Sequence, residues 1–146
     1  MRNTANAHYW TTFGDVRYTY HVEIENTSDG HLYIYSIVFG YRYLEPLDAN
    51  RDNQTFTGTV SVAHPPKWSP NVPATYDGNA SWGTTWRGTP ESSGYILPGK
   101  SLAGFQFSSL TRPPDEAPFG VGFYNSREQS WGSNANGVAQ HRGRFA

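Results

Sequence analysis

The stretch GYILPGKSLAGFQFSSLTRPPDEAPFGVGFY, residues 94–124, carries the signals that decide the fold. Phe105 and Phe107 alternate with glycine, glutamine and serine, and a two-residue alternation with aromatic residues is typical of a half-buried β-strand. The preceding Pro98-Gly99 predicts a tight turn, because proline fixes φ and glycine accepts a positive φ. A second alternating run ends the stretch, which therefore predicts strands of an antiparallel sheet.

The same stretch matches the phosphate-binding loop G-x-x-x-x-G-K-[ST] through Gly94, Gly99, Lys100 and Ser101. In that loop a buried strand comes first and a helix follows, and the N-terminus of the helix holds the phosphates. Here the residues before Gly94 lack the pattern of a buried strand, and a strand pattern follows Ser101. We therefore interpret the match as part of a hairpin, and nucleotide binding is not predicted.

The composition is typical of a single all-β domain. The chain has 146 residues, of which 16% are aromatic and 16% charged, with 15 glycines and 10 prolines. Aromatic and β-branched residues separated by glycine, proline, asparagine and serine favour strands over helices. The net charge of −1 gives no reason to expect a nucleic acid partner. The absence of cysteine excludes disulfides, and no apolar run has the length of a membrane span.

Seven segments have the pattern of strands. Their uneven antiparallel succession predicts an immunoglobulin-like β-sandwich of two sheets in residues 1–125. The remaining residues 126–146 are polar and glycine-rich, so we expect a loosely ordered tail unless Trp131 anchors it. The predicted strands are residues 16–26, 32–44, 55–64, 81–87, 94–97, 101–110 and 119–125.

The first two predicted strands differ in how much of their surface is apolar. In residues 16–26 apolar and polar residues alternate, which predicts one buried and one solvent-exposed face. Residues 32–44 are apolar on both faces, which is typical of a strand near the middle of a sheet. A regular alternation would place aromatic residues and one isoleucine on one side and aliphatic residues on the other: Tyr33, Tyr35, Ile37, Phe39, Tyr41 and Tyr43 against Leu32, Ile34, Val38 and Leu44.

Residues suited to catalysis are hard to find in this sequence. No serine lies in a G-x-S-x-G elbow, and the five histidines show no metal-ligand spacing. His21 lies beside Glu23 on the polar face of its strand, where a solvated pair is the better interpretation. Because the set of nucleophile, base and orienting group stays incomplete, we predict a non-catalytic protein.

One polar loop begins like a calcium-binding loop. Asp48, Asn50 and Asp52 supply oxygen ligands at alternate positions. However, Asn53 replaces the glycine of the sharp turn, and Thr59 stands in place of the closing glutamate. An ordinary hairpin loop is therefore the favoured interpretation, and a structural calcium site is the alternative. No other cofactor is expected.

Aromatic residues offer a binding surface in the middle of the chain. Trp82 and Trp86 are four residues apart on a predicted strand, so they would lie about 13 Å apart on one face. Facing solvent, they would form an apolar platform on which sugar rings stack. Facing inward, they are core residues, which is the commoner situation for a single tryptophan. The predicted ligand-binding residues are Trp68, Tyr76, Trp82, Thr84, Trp86 and Arg87.

The order of segments resembles a known family. A strand ending in Asn-Thr-Ser at residues 26–28 precedes a long aromatic strand, a tryptophan-bearing middle and the corner I-x-P-G-x-S-x-x-G-F. Over residues 16–125 the sequence resembles bacterial cellulose-binding modules of the immunoglobulin-like β-sandwich kind, and it is similar to sandwich domains of bacterial secreted proteins. The resemblance implies a row of surface tryptophans, for which Trp82 and Trp86 are the candidates. The chain departs from the pattern in lacking a terminal cysteine pair, in its many tyrosines and in its C-terminal tail. The corner consists of Ile96, Pro98, Gly99, Ser101, Gly104 and Phe105.

These observations predict a non-catalytic module that binds a polysaccharide or another glycan. The setting that we expect is secreted or cell-surface, although the N-terminal residues have no apolar segment of a signal peptide. The alternative is a structural or adhesive domain that contacts other protein subunits through its tyrosine-rich strand and its tail. Tyrosine and tryptophan are enriched at protein interfaces as well, so the composition leaves both interpretations open.

Overall fold

The computed structural model describes residues 4–39, 58–70, 80–84 and 94–142, and within these ranges it contains nine β-strands and no helix. The all-β prediction is therefore confirmed for this part of the chain. None of the described residues forms a helix of the length and hydrophobicity that a membrane crossing needs. The strands are β1 (Ala5–Gly14), β2 (Arg17–Asn26), β3 (Leu32–Phe39), β4 (Val60–Ala63), β5 (Trp68–Pro70), β6 (Ala80–Thr84), β7 (Ser101–Ser109), β8 (Glu116–Asn125) and β9 (Ser130–His141).

The described strands form one continuous hydrogen-bonded sheet in the order β4-β7-β2-β1-β9-β8-β3-β6-β5. Neighbouring strands are antiparallel except β1 and β9, which run parallel. The sequence predicted two separate antiparallel sheets and about seven strands, whereas these nine strands belong to a single curled, mixed sheet. The difference arises at β1 and β9, because their pairing joins what would otherwise be two layers.

The sheet curls so that its two halves face each other across one core. Tyr9 of β1 contacts Phe39 of β3 with ring centroids 5.3 Å apart, and Trp82 of β6 contacts Phe105 of β7 at the same distance. Facing layers of sheet pack about 10 Å apart, and large rings from both halves fill such a gap. The aromatic richness of the sequence is therefore explained in part by this core.

The junction between the two halves is short. Strands β1 and β9 pair only where His8 and Tyr9 lie beside Gln140 and His141. The backbone N–H of Arg142 donates to the carbonyl of Tyr9, and the rings of Tyr9 and His141 stack 5.0 Å apart. The end of β9 and Arg142 thus connect one half of the sheet to the other.

The C-terminal segment contributes a strand to the sheet. The sequence predicts a loose tail in residues 126–146 unless Trp131 anchors it, and Ser130–His141 forms β9, which pairs along the whole of β8 and in which Trp131 packs on Tyr124. Its polarity reflects a strand with one exposed face, on which Asn134 and Asn136 lie. The described part of the segment therefore belongs to the folded domain.

Strand β1 is absent from the predicted strands, whereas β2 agrees with its prediction from Arg17 onward. The alternation predicts Val16 on the buried face, but Val16 lies in the turn before β2 and is exposed. In β2, Tyr20, Val22 and Ile24 are buried and alternate with partly exposed polar residues. In β1 the buried positions alternate as well, but Tyr9 is the one large side chain among them, between Ala7 and Thr11, and the half-buried Trp10 lies on the opposite face. The periodicity of β1 is therefore too weak to recognise from the sequence.

Strand β3 departs from the regular alternation that the sequence predicted. Its register against β8 shifts between Ile34 and Ser36, so Tyr35 is an extra residue in a β-bulge. As a result Ile34 and Ile37 are both buried. The predicted grouping of Tyr35 with Ile37 and Phe39 is wrong, because the bulge moves Tyr35 to the outer face.

The corner before β7 forms as predicted. The N–H of Lys100 donates to the carbonyl of Leu97 at 3.0 Å, and Gly99 has φ of 80° inside this turn. Strand β7, rather than a helix, follows at once. The geometry of a phosphate-binding loop is therefore excluded here.

A buried asparagine ties this corner to the turn after β2. The Nδ2 of Asn26 donates to the carbonyls of Leu32 and Ile96, each at 2.8 Å. Its Oδ1 accepts hydrogen bonds from the backbone N–H and the hydroxyl of Ser28. Both donors of the amide and both acceptor positions are in use, so Asn26 is fully satisfied without water.

Candidate functional site

The structure places two of the predicted platform residues in the core. Trp82 is 0% exposed and Trp68 is 2% exposed. Trp82 faces Phe105 and Phe107 across the core, and the Nε1 of Trp68 donates to the carbonyl of Gly94 at 2.8 Å. These two indoles therefore do not form a surface platform, and the core alternative describes them.

The other predicted site residues divide into one described residue and six that are not. Thr84 is half-buried at the end of β6, directly opposite Trp68 of β5. The platform residues Tyr76, Trp86 and Arg87 lie outside the described residues, as do the calcium-loop residues Asp48, Asn50 and Asp52. Among the described residues, no group of three histidine, aspartate or glutamate side chains converges as a metal site requires.

An aromatic cluster does reach the surface, at a different place. Trp131 of β9 contacts Tyr124 of β8 with ring centroids 4.5 Å apart and Tyr35 of β3 at 4.8 Å. Tyr95 lies beneath, 6.1 Å from Trp131 and 5.9 Å from Tyr124. We call Tyr35, Tyr95, Tyr124 and Trp131 the aromatic patch.

Two irregularities in the sheet build this patch. The bulge in β3 turns Tyr35 outward, and Gly122 of β8 makes room for it, since an added Cβ at Gly122 would lie 3.2 Å from the Tyr35 ring. In β9, Gly132 has φ of 121° where the register against β8 shifts, so that Trp131 lies opposite Tyr124. The patch therefore needs Gly122 because a Cβ there would crowd the Tyr35 ring, and it needs Gly132 because a non-glycine residue is strained at a φ of 121°.

The rings of the patch do not lie in one plane. The ring of Trp131 makes an angle of 85° with Tyr35 and 77° with Tyr95. Tyr95 is 7% exposed, whereas Trp131 is 56% exposed. The patch is therefore a single protruding indole supported by tyrosines, and edge-to-face packing of this kind holds the indole in place.

The patch is uncharged, and charges lie at its border. Arg127 and Glu128 are exposed in the turn between β8 and β9. Their backbone N–H groups both donate to Oδ1 of Asn125 at 3.0 Å, which orders the turn next to Trp131. An apolar centre with a charged rim is the usual anatomy of a protein contact surface.

A second, polar feature crosses the other half of the sheet. It is a shallow groove of about 270 Å³ that is lined by residues of β1, β2, β7 and β9. In it Nε2 of His8 and Oε1 of Glu23 lie 2.7 Å apart. Nearby, partial burial lowers the pKa of His21, whose ring stacks on Trp10 at 5.5 Å. The lining of the groove is mostly polar and charged, so the groove can offer hydrogen bonds to a polar ligand.

The sequence contained two signals for the aromatic patch. The tyrosine-rich strand was recognised as a surface for contacts in the alternative interpretation, and Trp131 as a residue that could anchor the tail. Their meeting could not be foreseen, because it depends on β9 pairing with β8 and on the bulge at Tyr35.

Comparisons with known proteins give no match in sequence. No family model matches the chain, and no curated protein does. Similar solved structures include a GH20 exo-β-N-acetylglucosaminidase from Vibrio harveyi, at 8% identity and a TM-score of 0.49 over 94% of this chain. The chain spans 18% of the length of that enzyme.

Two similar structures are nearly as long as this chain. One is a chain of a type I cohesin–dockerin complex from Clostridium thermocellum, at 13% identity and a TM-score of 0.46 over 95% of this chain and 99% of that one. The other is the seventh ScaB type I cohesin from Pseudobacteroides cellulosolvens, at 12% identity and a TM-score of 0.36 over 97% and 95%.

Proposed function

We propose that this chain is a non-catalytic protein-interaction module of a secreted or cell-surface assembly, and that the aromatic patch is its contact surface. The exposure of Trp131 on a rigid support of three tyrosines carries this proposal. Tryptophan and tyrosine dominate the energetics of protein interfaces, because they remove a large apolar area from water at little cost in side-chain entropy. The free chain would already hold these side chains in their binding positions.

The shape of the patch favours a protein partner over a flat polysaccharide. Successive sugar rings stack on aromatic rings that share a plane, whereas Trp131 stands nearly perpendicular to Tyr35 and Tyr95. A protruding indole suits a pocket in a protein partner, where it acts as the central anchor. The exposed Arg127 and Glu128 would contribute at the rim of such a contact.

Glycan binding is the second candidate, and one observation favours it. Asn134 and Asn136 are exposed on the same face of β9 as Trp131. Asparagine side chains donate to and accept from hydroxyl groups, so a short soluble glycan could stack on Trp131 and extend along this strand. The resemblance to cellulose-binding modules supports the same candidate, with Trp131 in the role that Trp82 cannot take.

The proposed role needs a rigid two-layer support. We infer that the halves of the sheet act as the layers of an immunoglobulin-like sandwich that is linked through β9. The ring contacts of Tyr9 with Phe39 and of Trp82 with Phe105 across the core support this inference. Two threonine hydroxyls lie 3.2 Å from a histidine Nε2, Thr11 from His141 and Thr12 from His21, and we interpret both pairs as structural hydrogen bonds between strands.

The test compares Trp131→Ala with Trp10→Ala, which removes a half-buried indole from the other half of the sheet. Sedimentation velocity over a range of protein concentrations measures self-association, and pull-down on cellulose, chitin and xylan measures glycan binding. We expect the parent protein to self-associate. Trp131→Ala should weaken this association about 30-fold, as the loss of an interface hot spot does, and Trp10→Ala should leave it unchanged. Two results would contradict the proposal: self-association that is unchanged in Trp131→Ala, or glycan binding that is lost in Trp131→Ala while self-association is unaffected.

A further inference from the structure

The loop between β1 and β2 exposes apolar side chains at a place remote from the aromatic patch. Phe13 is 60% exposed and Val16 is 78% exposed. The ring of Phe13 rests against Tyr18 with centroids 4.8 Å apart, so it is held outward rather than loose. We call Phe13 together with residues 14–16 the hairpin tip.

The backbone of the hairpin tip is strained. Gly14 pairs with Arg17, which leaves a loop of two residues, and both have positive φ: 52° at Asp15 and 56° at Val16. Aspartate tolerates this conformation, but the second position of such a turn strongly favours glycine, and a β-branched residue there is a genuine outlier. Burial does not account for the valine, because its side chain is largely exposed. A strained, exposed apolar residue points to a role in contact.

The hairpin tip and the aromatic patch lie at opposite ends of the sheet. Strands β1 and β9 are parallel, with Tyr9 beside His141. Phe13 is four residues beyond Tyr9, whereas Trp131 is ten residues before His141. At about 3.3 Å per residue, the two features are separated by roughly 45 Å along the strands.

We propose that the hairpin tip of one copy of this chain binds the aromatic patch of a second copy, head to tail. The inference rests on the proposed function of the patch and names its partner. Phe13 and Val16 supply the apolar surface that would cover Trp131. Each surface carries one charge of each sign, Asp15 and Arg17 at the tip and Arg127 and Glu128 beside the patch, so two pairs of opposite charge can form across the contact.

Such a contact joins two different surfaces, so each copy keeps one free tip and one free patch. Contacts of this heterologous kind do not pair off into a symmetric dimer and instead extend as an open chain unless the rotation closes a ring. The expected behaviour of the parent protein is therefore growth beyond the dimer as concentration rises. A symmetric contact of patch with patch would stop at two copies.

The test uses two variants that each disable one end. The tip variant carries Phe13→Ser and Val16→Gly, and the patch variant carries Trp131→Ala. Alone, each is expected to associate about 30-fold more weakly than the parent. Mixed in equal amounts, they are expected to form a one-to-one complex that grows no further, because only the intact patch of one and the intact tip of the other can meet. Sedimentation velocity of the separate and mixed variants measures this.

Folding of the tip variant is checked separately. Val16→Gly alone relieves the positive φ, so its thermal midpoint should equal or exceed that of the parent while its association falls. Loss of association in a folded Val16→Gly variant then reports on contact and not on stability.

The possible failures are distinguishable. A tip variant that associates like the parent, while the patch variant does not, overturns the head-to-tail contact and keeps the patch as the contact surface. A patch variant that associates like the parent overturns both. A mixture that forms no complex, or a parent that stays monomeric, also overturns the head-to-tail contact, and the patch would then require a different subunit.

Discussion

Trp82 and Trp131 carry the same side chain in opposite surroundings. Trp82 lies in β6 and points between the two halves of the sheet, where it is 0% exposed. Trp131 lies near the start of β9 on the outer face, where it is 56% exposed and supported by tyrosines. Position relative to the core, and not residue type, therefore decides which aromatic side chains are available for binding.

The largest expected effect is the difference in unfolding free energy between alanine variants of these two tryptophans. Trp82→Ala removes a fully buried indole and should cost about 3 to 5 kcal/mol of unfolding free energy. Trp131→Ala removes a side chain that is half in solvent and should cost no more than about 1 kcal/mol. Urea denaturation of both variants against the parent measures the difference. Equal losses would mean that one of the two placements is incorrect.

An intermediate effect sharpens the same contrast with asparagines. Asn26→Ala removes a buried amide that donates to the carbonyls of Leu32 and Ile96 and accepts from the N–H of Ser28, so we expect a loss of about 3 kcal/mol. Asn125→Ala removes hydrogen bonds in the exposed turn beside the patch and should cost about 1 kcal/mol. The same urea titrations give both values, and a small loss for Asn26→Ala would argue against its buried network.

A smaller effect concerns the buried tyrosines. Burial raises the pKa of Tyr9 and Tyr20 far above the ordinary value, and the carboxylates of Asp115 and Glu116 raise that of Tyr9 further. In the unfolded chain tyrosine titrates at about 10. The folded state therefore binds these two phenolic protons more tightly than the unfolded chain does. Their contribution to the free energy of unfolding is complete below the unfolded pKa and is lost as the pH rises from there toward the folded pKa.

The thermal midpoint should therefore fall between about pH 9 and pH 11. Calorimetry over this range measures the fall, and the double variant Tyr9→Phe with Tyr20→Phe should show a shallower one at a lower starting midpoint. An unchanged slope in the double variant would assign the effect to other groups.

Local periodicity predicted part of this fold. The alternation in β2 and β7 and the turn at Pro98-Gly99 are visible in the sequence, because each depends only on neighbouring residues. The bulge at Tyr35 is not, since it arises from the register of β3 against β8. The pairing of β1 with β9 connects the two ends of the chain, and a pattern read along the chain contains no signal for it.

The position of the aromatic patch was not predictable from the sequence. The predicted cluster centres on Trp82, but Trp82 and Trp68 are buried, Tyr76 and Trp86 lie outside the described residues, and the patch contains Trp131. Strand β6 is short, and its alternation shows that Trp82 shares a face with Ala80 without showing which face is inside. Trp131 follows a polar turn and precedes a run of glycine, serine and asparagine, so its composition resembled a tail. The burial of Trp82 and the exposure of Trp131 both depend on how the strands pair and pack in the folded sheet.

The most direct test of the aromatic patch is oxidative footprinting of the tryptophans by mass spectrometry, at low and at high protein concentration. Trp131 should be modified readily in dilute protein and become protected as association proceeds. Trp82 and Trp68 should stay protected throughout because they are buried. A Trp131 whose modification is the same at all concentrations in an associating protein would contradict its role as the contact surface, and rapid modification of Trp82 would contradict the core.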